Sequence, residues 1–245
     1  MIDILQQFAS ASQDVLAAAG EETWFNRPAV QKGLVTAILE TLYMTGAATF
    51  FSVLFGLPTG VILAETRRGG LIAQPIVHRV LGAIVNIGRA IPFIILAVIV
   101  LYFIRLINLP WLKTIGWPAF TIALVVSAVP YMARMVESNV LAVDHGKVEA
   151  AQMAGASRSA IMSGVLVREA LPSLIQSTTI LTITIIGYSA MASAVGGGGL
   201  GALAINQGYQ RNNFDVIVIT VVIILIIVQL VQWLGDMLSR LVDHR

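Results

Sequence analysis

Long apolar stretches, separated by short polar segments, set the pattern of this chain. A helix needs about 20 residues to cross the hydrocarbon core of a bilayer. Five stretches meet that length, approximately residues 39–64, 80–104, 117–136, 170–195 and 216–238. The pattern predicts an all-α membrane protein with five transmembrane helices, and an odd number of spans places the two chain ends on opposite sides.

Residues 1–32 precede these spans and form a tail before the transmembrane domain of residues 33–245. Apolar residues recur along the tail at helical spacing, at Ile4, Leu5, Phe8, Val15, Leu16 and Ala19. This spacing is consistent with an interfacial helix on the outer membrane surface. We expect no cleavable signal peptide, because no basic residue precedes the apolar positions and polar residues interrupt them.

Composition agrees with a membrane protein and narrows its chemistry. The chain is 57% hydrophobic and 11% charged, whereas about a quarter of the residues of soluble domains are charged. The absence of cysteine excludes disulfides and thiol catalysis. The net charge of +2 does not indicate a nucleic-acid partner, and the three histidines lie too far apart in sequence to predict a metal site.

Basic residues predict the orientation, because cytoplasmic loops carry an excess of Lys and Arg. One face would hold eight of them, namely Arg67, Arg68, Arg79, Lys147, Arg158, Arg168, Arg240 and Arg245. The other face would hold five, namely Arg27, Lys32, Arg105, Lys113 and Arg211. We therefore expect a periplasmic N-terminus, a cytoplasmic C-terminus and a cytoplasmic loop between spans three and four.

That loop contains a small-residue segment that lipid would not select, residues 149–157, which read Glu-Ala-Ala-Gln-Met-Ala-Gly-Ala-Ser. Alanine favours helix and glycine disfavours it, so we predict a short helix over residues 147–154, with Asp144 as its N-cap and Gly155 at a left-handed C-cap. Ser157 is expected to cap a second short helix. Two short helices at an angle would form an elbow that fits a groove on a partner. An ordinary amphipathic connector is the alternative.

Charged groups inside the apolar stretches are costly and invite a functional interpretation. Arg89 precedes Pro92, which removes a backbone donor and can kink the helix. We favour a structural role for Arg89, in which it bonds to a carbonyl that the kink frees, over contact with a substrate. Arg134 and Glu137 are spaced for an ion pair on one helix.

The fourth span is rich in uncharged polar residues, namely Thr178, Thr179, Thr182, Thr184, Tyr188, Ser189 and Ser193. Such a stripe either bonds to a neighbouring helix or lines a pathway for a small solute, and both interpretations stay open. Met191 suits a narrow passage and ordinary packing equally. The candidate pathway residues are Tyr188, Ser189, Met191 and Ser193.

A glycine run, Gly-Gly-Gly-Gly-Leu-Gly over residues 196–201, follows this span. It fits the letters of a dinucleotide-binding fingerprint but follows a membrane span, and Ala202 stands where a P-loop would need Lys. We reject a nucleotide site. The run instead predicts a helix end and a tight re-entry at the outer face, where glycine lets backbone approach backbone.

From about Gly33 to the C-terminus the chain resembles the methionine-type permease subunits of bacterial ABC importers, and several sequence segments together carry this resemblance. They are residues 84–87, residues 89–96, the Glu-Ala-Ala-x-x-x-Gly pattern from Glu149 to Gly155, residues 169–172, and residues 187–191 with the glycine run. The Glu149 pattern alone resembles the EAA loop of importer permeases, and the other phrases narrow the resemblance to methionine-type uptake. Arg168 stands where that family usually has Pro, and the tail is longer than the usual form.

The resemblance implies a type I ABC importer permease that carries out no chemistry and binds no cofactor. It implies a homodimer in the bacterial inner membrane, two cytoplasmic ATPases that use ATP and Mg, and an extracytoplasmic substrate-binding lipoprotein. The implied function is import of D- or L-methionine through the dimer interface. The implied contacts with the ATPases are Glu149, Ala150, Ala151, Met153, Gly155 and Ala156.

Three alternatives stay open at this point. In the first alternative, the chain is an importer permease whose substrate is another small apolar or polar amino acid instead of methionine. An intramembrane enzyme would use Glu169, Arg89 and Glu65, although no catalytic motif contains them. A membrane scaffold would use the elbow to dock a signalling partner. Co-purification of an ATPase separates the importer from the last two.

Overall fold

A computed structural model describes residues 27–107 and 115–243, which form a bundle of helices. In chain order the described helices are α1 (Pro28–Glu65), α2 (Pro75–Ala90), α3 (Phe93–Ile107), α4 (Trp117–Leu141), α5 (His145–Met153), α6 (Arg158–Val195), α7 (Gly199–Leu203) and α8 (Phe214–Val242). Four of them, α1, α4, α6 and α8, are long and apolar enough to cross a membrane. The pair α2 and α3 makes a fifth span if it is counted as one broken helix, which agrees with the prediction of five.

The predicted second span is not one continuous helix. Between α2 and α3 the chain bends by 105°. Ile91 is extended, with φ −76° and ψ 127°, as a residue before proline tends to be. The carbonyl of Pro92 accepts the N–H groups of Ile95 and Leu96 at 3.0 and 3.1 Å, which starts the next helix. The kink predicted from Pro92 is confirmed, and it breaks the span completely.

The most extensive helix packing in the described residues joins α1 to α4. A Cβ atom on Gly60 would lie 2.4 Å from the carbonyl oxygen of Ala133, and one on Gly56 would lie 2.7 Å from Cβ of Met132. Two glycines four residues apart thus bring the two backbones together, as small residues do at helix interfaces in membranes. The helices α2, α3 and α6 pack on this pair, and α8 packs mainly on α6.

Long-range contacts define the two ends of the bundle. At one end Arg27 donates to Asp215 at 2.5 Å and ties the start of α1 to the start of α8. Near the other end Ser239, close to the end of α8, donates to the carbonyl of Pro172 in α6 at 3.1 Å. The described chain therefore begins and ends at opposite ends of the bundle. We call the end that carries α5 the elbow end, and the end that carries residues 196–201 the glycine end.

The interfacial helix expected in the tail falls on residues 1–26, which lie outside the described residues. Residues 28–32, which the sequence assigned to the tail, form the first turns of α1.

Candidate functional site

The first helix of the predicted elbow forms as its capping residues indicate. Asp144 caps α5, since its Oδ1 accepts the backbone N–H of Gly146 at 2.8 Å. Gly155 follows the helix with φ +78°, in the left-handed region where a side chain is strained. The predicted helix over residues 147–154 is confirmed, with bounds of His145–Met153.

The second short helix of the elbow was predicted wrongly. Ser157 caps a helix, because its Oγ accepts the N–H of Ala160 at 3.3 Å, but that helix is the start of α6. It passes without a break through a π turn at Met162–Leu166 and reaches Val195. A π turn absorbs an extra residue without ending the hydrogen-bond ladder. Arg168, unlike proline, keeps the backbone N–H that a helix interior requires.

Apolar packing and an ion pair hold α5 against the bundle. Val148 is 6% exposed and packs in the main hydrophobic core with Val140 and Leu166. The Nζ of Lys147 donates a hydrogen bond to Oε2 of Glu169 at 2.5 Å, and this ion pair joins α5 to α6. The elbow is therefore fixed in place by apolar packing of Val148 and Ala151 and by one partly exposed ion pair.

The residues predicted to contact an ATPase lie on the outer surface of this elbow. Five of the six are exposed and Ala151, which packs against the core, is half-buried. Met153 is 89% exposed, an unusual position for a large apolar side chain. Within the described residues Glu149 takes part in none of the ion pairs. The elbow thus presents an apolar side chain and a free carboxylate beside small residues that permit close approach.

The four candidate pathway residues occupy different environments at the glycine end of α6. Tyr188 stacks on Phe93 of α3, with ring centroids 4.5 Å apart and an interplanar angle of 4°. Ser189 is 3% exposed and bonds to the carbonyl of Ile186 at 2.7 Å. Met191 is 45% exposed, and Ser193 is half-buried. Met191 is the member of the set that most clearly faces away from the subunit interior.

The hydroxyl groups along α6 mainly bond within their own helix. Thr178, Thr179, Thr182 and Thr184 each donate to a carbonyl four residues earlier. Bonds from neighbouring helices run from Thr49 of α1 to Thr182 at 3.2 Å and from Asn139 of α4 to Ser177 at 2.8 Å. Thr182 and Ser177 thus serve helix packing, and Tyr188 to Ser193 remain as the candidate pathway.

A small cavity of about 40 Å³ lies at the break between α2 and α3. The guanidinium of Arg89 lies 5.5 Å from the ring centroid of Tyr131, a cation–π contact. No hydrogen bond to a carbonyl is formed by Arg89 within residues 27–107 and 115–243, so the predicted carbonyl partner was wrong. The ring provides an alternative partner that only tertiary structure could reveal. The predicted ion pair of Arg134 with Glu137 is confirmed at 2.5 Å.

The glycine run forms the predicted helix end and re-entry. Gly196 has φ +77° and ends α6, and Gly199 has φ +90° at the start of α7. The backbone returns so closely that a Cβ on Gly201 would lie 2.2 Å from Cα of Ala190. Glycine at these positions is a structural requirement.

Glu40 in α1 holds this run in place, and it was missed in the sequence. Its Oε2 accepts the N–H of Gly199 at 2.7 Å, and Thr41 accepts the N–H of Leu200 at 2.9 Å. A Cβ on Gly198 would lie 2.1 Å from the same carboxylate. The signal was present, because Glu40 is an acidic residue within an apolar segment and such residues need a partner.

Two residues named for a hypothetical intramembrane enzyme have structural contacts instead. Glu65 is 7% exposed and accepts the N–H of Leu71 at 2.9 Å, which closes the loop after α1. Glu169 pairs with Lys147. Neither carboxylate lines the cavity that contains Arg89, so the three groups do not form one site.

Comparison with known families and proteins agrees with this architecture. Residues 56–245 match the family described as "Binding-protein-dependent transport system inner membrane component". A probable D-methionine transport system permease protein MetI from Vibrio cholerae is 44% identical over 212 residues, covering 86% of this chain and 93% of that protein. The methionine import system permease protein MetP from Bacillus subtilis is 41% identical over 213 residues, covering 86% of this chain and 94% of that protein.

A solved structure has a similar fold. One chain from the inward-facing conformations of the MetNI methionine ABC transporter superposes with a TM-score of 0.82 at 44% identity. The match covers 86% of this chain and 96% of that chain.

We expect Glu40→Ala to destabilise the protein, because it leaves the buried N–H of Gly199 without an acceptor. Such a loss costs about 1–3 kcal/mol. Glu40→Gln keeps an acceptor oxygen and should retain most of the stability. The apparent unfolding midpoint of the purified protein in detergent measures both effects, with Glu149→Ala on the exposed elbow as the control. An unchanged midpoint for Glu40→Ala would show that the carboxylate does not stabilise the loop.

Proposed function

Because the chain belongs to the family of binding-protein-dependent transport system inner membrane components, we propose that it is the permease subunit of an ATP-driven importer of methionine. The observation that supports methionine as the substrate is the sequence identity to methionine permeases from two distant bacteria. This identity is above 40% and extends over most of both chains. Neither the D nor the L form is favoured by the geometry. Another small apolar or polar amino acid is the competing substrate.

The exposed elbow supports a cytoplasmic ATPase as the partner. Met153 would enter an apolar groove, Glu149 would pair with a basic group at its rim, and the neighbouring small residues would permit close approach. A second copy of this chain would bring a second ATPase, and these ATPases, not this chain, would bind ATP and Mg. An extracytoplasmic binding lipoprotein would deliver the substrate to the glycine end.

The elbow end is then the cytoplasmic end, in the bacterial inner membrane. This orientation gives a periplasmic N-terminus and a cytoplasmic C-terminus. Basic side chains support it, because exposed Arg67, Arg68 and Arg79 gather at the elbow end.

The pathway would follow the face of α6 that carries Met191, between two copies of the chain. A zwitterionic solute needs weak polar contacts that replace water without trapping it. Tyr188 and Ser193 lie half-buried on either side of the exposed Met191. Ser189 would contribute by shaping the helix, because its hydroxyl is buried and already bonded.

Uptake tests the function directly. The permease, its ATPase and its binding protein are expressed in cells that lack their own methionine importer, and entry of labelled L-methionine is measured. We expect ATP-dependent uptake that excess unlabelled methionine abolishes and excess leucine or serine does not. Cells that take up labelled leucine or serine through the same three proteins, but no labelled methionine, would assign the importer to another amino acid.

Gly155→Val tests the elbow. A β-branched residue at φ +78° is strained by about 1–3 kcal/mol, so the elbow should change shape and association with the ATPase should weaken about tenfold. Gly164→Val is the matched control, since Gly164 also has open space but no positive φ. Membrane insertion should be normal in both variants. Transport by Gly155→Val at the unmodified rate would contradict the coupling role.

Single cysteines in this cysteine-free chain test orientation and pathway together. Arg211→Cys should react with an impermeant thiol reagent in intact cells, and Arg68→Cys should react only in inverted vesicles. Met191→Cys should react with a small water-soluble reagent in at least one nucleotide state, whereas buried Ser189→Cys should not. Outside labelling at position 68 would reverse the topology. An unreactive cysteine at position 191 in every state would remove this face of α6 from the pathway.

A further inference from the structure

A basic cavity of about 680 Å³ lies at the elbow end, between the loop after α1, the helix α2 as far as Asn86, and Arg134 of α4. Its charged and titratable lining consists of Arg67, Arg68, His78, Arg79 and Arg134. Among residues 27–107 and 115–243, no acidic residue lines it. The cavity is separate from the elbow surface and from the face of α6 assigned to the pathway.

Most of this positive charge is not paired with an acidic side chain in the part of the chain that the structure describes. Arg134 pairs with Glu137 at 2.5 Å. Within the described residues Arg67, Arg68 and Arg79 form no ion pair. Glu65, close by in sequence, is buried with its carboxylate on the N–H of Leu71. Three guanidinium groups therefore face one cavity without an anionic partner among the described side chains.

The helix that borders this cavity also presents an apolar stripe. Ile76, Val80, Ile84 and Ile87 are spaced along one face of α2 and are 56–78% exposed. The opposite face packs on α4, where a Cβ on Gly88 would lie 2.7 Å from Cγ of Pro130. The stripe starts beside the basic cavity and runs from the elbow end toward the break at Pro92. Cationic and apolar surfaces thus lie next to each other on one membrane helix.

We propose that this cavity binds the phosphate headgroup of an anionic phospholipid, whose acyl chains lie along the stripe on α2. Guanidinium groups match phosphate oxygens in paired hydrogen bonds, and basic pockets between membrane helices suit anionic headgroups. The lipid would connect the loop after α1 to α2 and so fix half of the broken span. The inference rests on the proposed function only in placing the elbow end at the cytoplasmic leaflet.

Lipid retention in the whole transporter tests this site. The permease is purified with its ATPases and incubated with equal amounts of phosphatidylglycerol and phosphatidylcholine that carry identical acyl chains, and native mass spectrometry counts the lipids retained. The unmodified transporter should retain phosphatidylglycerol preferentially. The double variant Arg67→Gln with Arg79→Gln should lose this preference, on the order of fivefold for each arginine.

Two further variants separate the site from general charge effects. Arg240→Gln removes one positive charge, half of what the double variant removes, from an exposed position near the elbow end of α8 outside the cavity, and should leave the preference unchanged. Arg79→Lys keeps the charge that supports membrane insertion but loses the paired hydrogen bonds, and should give an intermediate preference. Equal retention of phosphatidylglycerol by the double variant and the unmodified transporter would overturn the proposal.

Competition identifies the source of the phosphate. Inorganic phosphate in large excess should not displace phosphatidylglycerol, because it lacks the acyl chains. Displacement would show that the cavity binds a soluble phosphate and would overturn the proposal of a lipid site. Loss of the ATPase from the double variant with unchanged lipid retention would assign the arginines to a protein contact instead. A transporter that imports methionine without lipid preference refutes only this inference, whereas lipid preference without methionine uptake refutes only the proposed function.

Discussion

Backbone hydrogen bonding in a medium without water is the constraint on which this structure depends. Hydrocarbon offers no partner for a free N–H or carbonyl, so every interruption of a membrane helix needs a local replacement. At the break after α2 the carbonyl of Pro92 starts the next helix. At the glycine end the N–H of Gly197 bonds to the carbonyl of Ala192 at 2.7 Å, and Glu40 receives the N–H of Gly199. The irregular segments of the fold lie where such partners exist.

Features that depend on neighbouring residues in sequence could be predicted. The caps at Asp144 and Ser157, the left-handed Gly155 and the kink at Pro92 each follow from the chemistry of one or two adjacent residues. The apolar lengths predicted the spans for the same reason. The small exposed elbow was also predictable, because its composition differs so sharply from that of the helices around it.

Features that depend on distant partners could not be predicted. Glu40 and Gly199 are 159 residues apart, and nothing local connects them. Arg89 makes a cation–π contact with the ring of Tyr131, and no spacing rule in the sequence indicates that partner. The continuity of α6 was missed for a different reason. A capping serine indicates where a helix begins but does not indicate where that helix ends. A single sequence therefore specified the caps of the elbow better than the contacts between distant residues.

The unbroken α6 has a mechanical consequence. It runs from the residue after the cap at the elbow to the last residue before the glycine run, 38 residues in all. At about 1.5 Å per residue this is a rod about 57 Å long. Tilting such a rod by about 5° about one end moves the other end by about 5 Å, roughly the width of a methyl-bearing side chain. The ion pair between Lys147 and Glu169 attaches α5 near one end of this rod, and Met191 lies near its other end.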